Sequence, residues 1–140
     1  MEWTDLNNFT DAGDINNADV LIVDDDEDCL RMLEAYLTME GFRVTCAANG
    51  NEALVFLRSS PFCLMLTDYN MPGMDGLRLS EEALKAAPGL VIVMISGDPL
   101  TQLYPRAVKI GITAVLAKPY NVKKLLNIIR KENERRITRP

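Results

Sequence analysis

Three consecutive carboxylates, Asp24-Asp25-Asp26, follow the apolar run Val20 to Val23, and a fourth, Asp68, closes a second apolar run, Cys63 to Thr67. Acids brought to one place repel one another, and a hard cation resolves the repulsion. Magnesium takes oxygen ligands in near-octahedral geometry, commonly one or two carboxylates with waters and a phosphate oxygen. A carboxylate held beside it can attack phosphorus, and the charge spread over the transferring oxygens then needs the metal and fixed donors. Ser96 and Lys118, which end two further apolar runs, are suitable donors, one a hydroxyl and the other an ammonium. The chain contains no histidine. Ser-His-Asp and Cys-His nucleophile systems and histidine acid-base steps are therefore excluded. Each residue also has an ordinary reading. Asp26 or Asp28 suits a helix N-cap, Ser96 alone is an unremarkable loop serine, and Lys118 before Pro119 could be a solvated lysine. The joint placement on four strand ends is what points to chemistry.

Those side chains meet only if the fold carries their strand ends to one edge. Val20 to Val23 is a continuous apolar run of the kind found in strands covered on both faces, which belong to parallel sheets. Leu30, Leu33 and Leu37 recur at helical spacing and Gly41 follows as a C-cap candidate, which predicts a helix from about Asp28 to Glu40. Arg43 to Ala47 reads as the next strand. Asn49-Gly50 turns the chain into a short helix marked by Ala53, Leu54 and Leu57, and Pro61 separates that helix from the strand ending at Asp68. Beyond the loop Tyr69 to Gly76, a helix through Leu77 and Leu84 is stopped by Ala87-Pro88-Gly89. Leu90 to Ile95 and Ala114 to Ala117 are strands, and the helix between them is expected to carry Pro105 in its first turn. Asn121 is the expected N-cap of a last helix whose apolar stripe is Leu125, Leu126 and Ile129.

Five strands alternating with five helices predict an α/β fold, a doubly wound parallel sheet with helices on both faces. Right-handed crossovers in such a sheet place ligands outside the carboxyl ends of the strands, where strand order reverses. The acids fall at that edge.

The 140 residues are 48% hydrophobic, enough for the core of one domain. Residues 1–18, rich in Asn, Asp and Thr, read as a flexible or loosely docked extension with Trp3 and Phe9 as anchors. Residues 19–132 form the expected domain, and 133–140 a basic tail or linker stub. No apolar run is long enough for a bilayer, and the first residues lack the basic start and apolar stretch of an export signal. A cytoplasmic protein with no membrane partner is expected. Cys29, Cys46 and Cys63 form no CxxC pair, which suits reduced, idle thiols. The net charge of -5 is uneven, with no Lys or Arg before Arg31 and a basic C-terminal stretch. Late basic residues oppose a helix dipole, and no aromatics are interleaved for stacking, so nucleic acid is not expected as a partner.

The motifs are Val23-Asp24-Asp25-Asp26, Leu66-Thr67-Asp68-Tyr69-Asn70-Met71-Pro72-Gly73-Met74-Asp75-Gly76, Ile95-Ser96-Gly97 and Ala117-Lys118-Pro119. In this order and spacing, across roughly residues 19 to 132, the chain resembles the receiver domains of two-component response regulators. The resemblance implies a flavodoxin-like three-layer sandwich with strand order 2-1-3-4-5. It implies Asp68 as phosphoacceptor and Mg2+ held by the side chains of Asp25 and Asp68 and the backbone carbonyl of Asn70, with Asp24 acting through a water. Ser96 and Lys118 would each hold a phosphoryl oxygen. Asn70 and Asp98, two residues beyond the acceptor and the hydroxyl, would tune hydrolysis, and the Lys118–Pro119 bond would be cis. The implied partners are a histidine kinase or histidine phosphotransfer protein and an output of unknown identity, with homodimerisation left open.

Two departures from that pattern affect how a signal would leave. Val115 stands three residues before the lysine, where the family often has a Tyr or Phe that swings inward on activation. Pro105 falls within the stretch that is usually the fourth helix. Two other readings compete. A magnesium-dependent phosphatase with an aspartate nucleophile would resemble Asp-x-Asp-x-Thr/Ser after its first strand, but Asp24-Asp25-Asp26 lacks the following hydroxyl. A static pseudo-receiver would not need Ser96, Lys118 and the full acid set.

Overall fold

The computed structural model describes residues 19–138, so the extension 1–18 with Trp3 and Phe9, and the last two residues of the tail, lie outside the described residues. Ten elements alternate: β1 (Asp19–Val23), α1 (Glu27–Met39), β2 (Arg43–Ala47), α2 (Gly50–Ser59), β3 (Leu64–Asp68), α3 (Gly76–Ala86), β4 (Val91–Ser96), α4 (Leu100–Ile110), β5 (Ala114–Ala117) and α5 (Val122–Thr138). All the strand pairs are parallel, in the order β2-β1-β3-β4-β5. The doubly wound architecture and the strand order are those expected. Helix α5 runs through the expected boundary at 132.

Alternate strand residues feed two separate cores, as a sheet buried on both faces requires. Leu21, Met65, Ile92 and Met94 pack with Leu54, Leu57, Leu79 and Leu103 beneath α2, α3 and α4. Val20, Ile22, Leu66 and Ile95 pack with Leu30, Leu37, Leu125 and Ile129 beneath α1 and α5. No helix among the described residues is long and apolar enough to cross a membrane.

Side-chain caps set where the helices begin. Asp26 accepts from the N–H groups of Asp28 and Cys29, Asp75 from Arg78, and Asn121 from Lys123 at 2.8 Å. Asn49, read in the sequence as part of a turn, is the N-cap of α2. It accepts from the Glu52 N–H while the Glu52 carboxylate accepts from the Ala48 N–H. Gly41 follows α1 with φ 98°, a left-handed conformation that suits glycine.

Helix α4 departs from the expectation that Pro105 sits in its first turn. It starts at Leu100, directly after Pro99, and Pro105 is its sixth residue. The apolar stripe Leu103 and Ala107 already spans that proline. Pro105 removes the donor that would have served the Thr101 carbonyl, but both residues are exposed, so water can take that bond.

Candidate functional site

In the order β2-β1-β3, strand order reverses between β1 and β3, and the crevice at their carboxyl ends is where such a sheet accepts ligands. The register does the positioning. Val23 pairs with Thr67, so Asp24 and Asp68 leave neighbouring strands side by side. Asp68 pairs with Ile95, Ser96 pairs with Ala117, and the Lys118 N–H donates to the Ser96 carbonyl at 2.8 Å. Four strand ends thus bring the acids, the hydroxyl and the ammonium along one edge.

Carboxylate oxygens of Asp24, Asp25 and Asp68 lie within 4.8 Å of one another. Asp24 and Asp68 are buried and Asp25 is exposed. Asp26 stands apart, committed to capping α1. Two backbone N–H groups, Cys29 first and then Asp28, hold its carboxyl below the usual range. Burial pushes the Asp24 carboxyl above its usual range and repulsion from Asp68 and Asp25 adds to this, against the Asp26 N–H bond and Lys118. Lys118 Nζ stands 2.8 Å from Asp68 Oδ1. Partial burial disfavours the ammonium, yet the contact with Asp68 and the field of Asp24 outweigh it, and its pKa rises.

The residues present fit a hard divalent cation. Three convergent carboxylates form an all-oxygen donor set, and the only partner of the buried Asp68 Oδ1 among the described residues is the Lys118 ammonium. Asn70 lies on the loop beside this cluster, and no backbone N–H among the described residues donates to its carbonyl.

Ser96 is fully buried and its Oγ accepts from the Asp98 N–H at 2.9 Å, which leaves the hydroxyl proton free to donate. Asn70 and Asp98 meet across the mouth of the site, Nδ2 to Oδ2 at 3.4 Å. The Lys118–Pro119 bond is cis. Val115 is half-buried against the core beneath α2, α3 and α4.

Three contributors were not singled out in the sequence. A Cβ at Gly76 would stand 2.5 Å from the Asp68 carbonyl oxygen, because α3 folds straight back onto the end of β3. The Gly76 N–H donates to the Tyr69 carbonyl at 2.9 Å and ties that approach. Cys29 and Tyr120 flank the acids. Burial raises the pKa of both, and Asp24 adds to the effect on each. Their signal in the sequence is only proximity to Asp26 and Pro119.

The family model for the response regulator receiver domain matches residues 20–130. The chain is 38% identical over 112 residues to the response regulator receiver protein CpdR of Brucella abortus (strain 2308), covering 80% of this chain and 93% of that one. Several longer relatives are matched over only 25% of their length. Among solved structures, a CheY-like response regulator receiver domain protein from Methanospirillum hungatei JF-1 is similar with a TM-score of 0.81 and 32% identity, covering 84% of this chain and 94% of that one. The response regulator TrrA from Thermotoga maritima, in complex with Mg(2+)-BeF, is similar with a TM-score of 0.73 and 25% identity, covering 81% of this chain and 97% of that one.

Proposed function

Because the chain belongs to the response regulator receiver family of two-component signalling, we propose that it accepts a phosphoryl group on Asp68 from a histidine kinase or histidine phosphotransfer protein and switches an output when it does. The observation that carries this is the cluster itself: Asp24, Asp25 and Asp68 oxygens within 4.8 Å of one another, with Lys118 Nζ 2.8 Å from the buried Asp68 Oδ1.

The Asp25 and Asp68 side chains and the Asn70 carbonyl would hold Mg2+, with Asp24 acting through a water. Bound there, the cation neutralises charge on the phosphoryl oxygens. An Asp68 carboxylate oxygen forms the bond to phosphorus, and the phosphorus–nitrogen bond of the donor imidazole breaks, the nitrogen keeping the electron pair. Lys118 passes from Asp68 to a phosphoryl oxygen, and Ser96 donates its hydroxyl proton to another. Asn70 and Asp98 line the path a hydrolytic water takes, so they set the phosphate lifetime. In this reading the protein is a cytoplasmic switch that turns over only its own phosphate, not an enzyme acting on external substrates.

Incubation with acetyl phosphate and magnesium, followed by intact-mass measurement, tests the assignment. One added phosphate is expected, absent without magnesium and absent in Asp68→Asn. Equal labelling of Asp68→Asn would overturn it.

A further inference from the structure

Thr67 precedes Asp68 on β3 and is fully buried. Its register partners are Val23 on β1 and Met94 on β4, both apolar and buried. Met65, two positions back on the same face of the strand, belongs to the core beneath α2, α3 and α4. Valine would match threonine there in branching and in strand preference. Packing alone therefore gives no reason for a hydroxyl, and burying one is costly unless it finds a partner. The partner is the main chain of the next residue: Thr67 Oγ1 donates to the Asp68 carbonyl at 3.0 Å. No N–H from a loop or a helix cap among the described residues donates to that oxygen.

The same carbonyl is the point at which α3 returns onto β3. Gly76 lies so near that a Cβ on it would stand 2.5 Å from the oxygen. Behind that contact, the buried Ser80 Oγ donates to the Gly76 carbonyl at 2.7 Å. The nitrogen side of the peptide is fixed as well, since the Tyr69 N–H donates to the Ile95 carbonyl at 2.8 Å. The planar Asp68–Tyr69 peptide is thus held at its oxygen, at its nitrogen and against α3. Its orientation has two consequences. It sets the direction in which the Asp68 side chain leaves the backbone, toward Lys118 and the other acids, and it sets the course of the chain toward Asn70.

We propose that Thr67 is a positioning residue: its buried hydroxyl holds the Asp68–Tyr69 peptide and thereby aims the Asp68 carboxylate and the Asn70 carbonyl at one cation. This rests on the reading of Asp68 as phosphoacceptor. Thr67 acts only through the main chain it holds, and groups that fix ligands from behind in this way are worth about 10–100-fold in metal affinity or activity.

Two conservative variants separate positioning from packing. Thr67→Val keeps the volume and loses the donor, whereas Thr67→Ser keeps the donor and leaves a methyl-sized gap. With acetyl phosphate and magnesium, Thr67→Val should label about tenfold more slowly than the wild type and bind magnesium about tenfold more weakly in calorimetric titration. Thr67→Ser should stay near the wild type in both, although its unfolding midpoint in denaturant falls. In the metal-free protein, hydrogen exchange across residues 68–71 should quicken in Thr67→Val and not in Thr67→Ser, a readout that needs neither metal nor phosphate. Labelling, magnesium affinity and exchange all unchanged in Thr67→Val would overturn the role of Thr67, as would losses in the two variants that simply follow their stabilities. A wild type that takes no phosphate, or takes it on another residue, would instead overturn the acceptor assignment, and the metal-free exchange would still decide whether Thr67 holds the peptide.

Discussion

Lys118 Nζ stands 2.8 Å from Asp68 Oδ1, a buried carboxylate oxygen. The pair is lopsided, with 38% of the lysine side chain exposed but only 4% of the aspartate side chain. Water already reaches the lysine, so its own release needs little rehydration, whereas buried Asp68 is left without a counterion unless another charge takes the place of the ammonium. A solvent-reached cation beside a buried anion suits the change of partner that the proposed phosphoryl transfer asks of Lys118.

Lys118→Met should separate these two aspects. Loss of the cation leaves a buried anion, but solvent screening limits the effect, and denaturant unfolding without magnesium should show a loss of about 1–2 kcal/mol. Phosphorylation by acetyl phosphate should slow by about 100-fold, as when one fixed donor is removed from a charged transition state. A variant labelled at the wild-type rate would show that Lys118 acts on stability alone.

Asp24 bears much of the electrostatic cost of clustering the acids. Its folded carboxyl titrates above the ordinary 3.8, chiefly through burial. The folded chain then holds this proton at pH values where the unfolded chain has lost it, so the Asp24 contribution to stability falls as pH rises from 3.8 through the raised value and stays low above it. Asp24→Asn keeps an oxygen for the Asp26 N–H and removes the charge. It should raise the neutral-pH melting temperature without magnesium, flatten the pH profile above 3.8 and weaken magnesium binding in calorimetric titration. A lower melting temperature without magnesium would contradict this account.

Much of the site was legible because four of the strands are short, largely apolar runs that end on or lead straight into a chemically distinct residue. Arg43–Ala47 and Ala114–Ala117 match the expected strands residue for residue, and Asp24, Asp68, Ser96 and Lys118 all fall at carboxyl ends. What stayed hidden depends on contacts between distant residues. The Pro105 rule for first turns failed because Pro99 already stood before α4 and hydration tolerates a proline on the exposed face. The crowding at Gly76 follows from α3 returning onto β3, which no local pattern states.

Gly76→Ala should show that crowding. The added Cβ would meet the Asp68 carbonyl oxygen at 2.5 Å and Tyr69 Cα at 2.9 Å, both backbone atoms that cannot rotate away. Destabilisation of about 1–3 kcal/mol is expected in denaturant unfolding. Because the displaced backbone is that of Asp68, one of the proposed metal ligands, magnesium affinity should fall as well. A neutral substitution would mean that α3 shifts without disturbing β3.

Under the proposed function, the route by which phosphorylation would reach the surface can be argued from Ser96. Its Oγ accepts from the Asp98 N–H at 2.9 Å, and Asp98 in turn accepts from Asn70 Nδ2 at 3.4 Å, so the loop before α4 is tied both to the buried hydroxyl and to the acceptor loop. If the hydroxyl turns to a phosphoryl oxygen, both ties loosen and Gly97 to Leu100 is released. Val115 is too small and too stiff at χ1 to report the change by swinging inward. Beryllofluoride with magnesium, as a phosphoryl mimic, should therefore change hydrogen exchange across residues 97 to 109, including the turn of α4 before Pro105, and leave β5 nearly unaltered. Ser96→Ala should speed exchange in the loop even without the mimic, since the Asp98 N–H loses its acceptor. Changes confined to the strand around Val115, with none across 97 to 109, would place the readout at β5 and refute the loop mechanism.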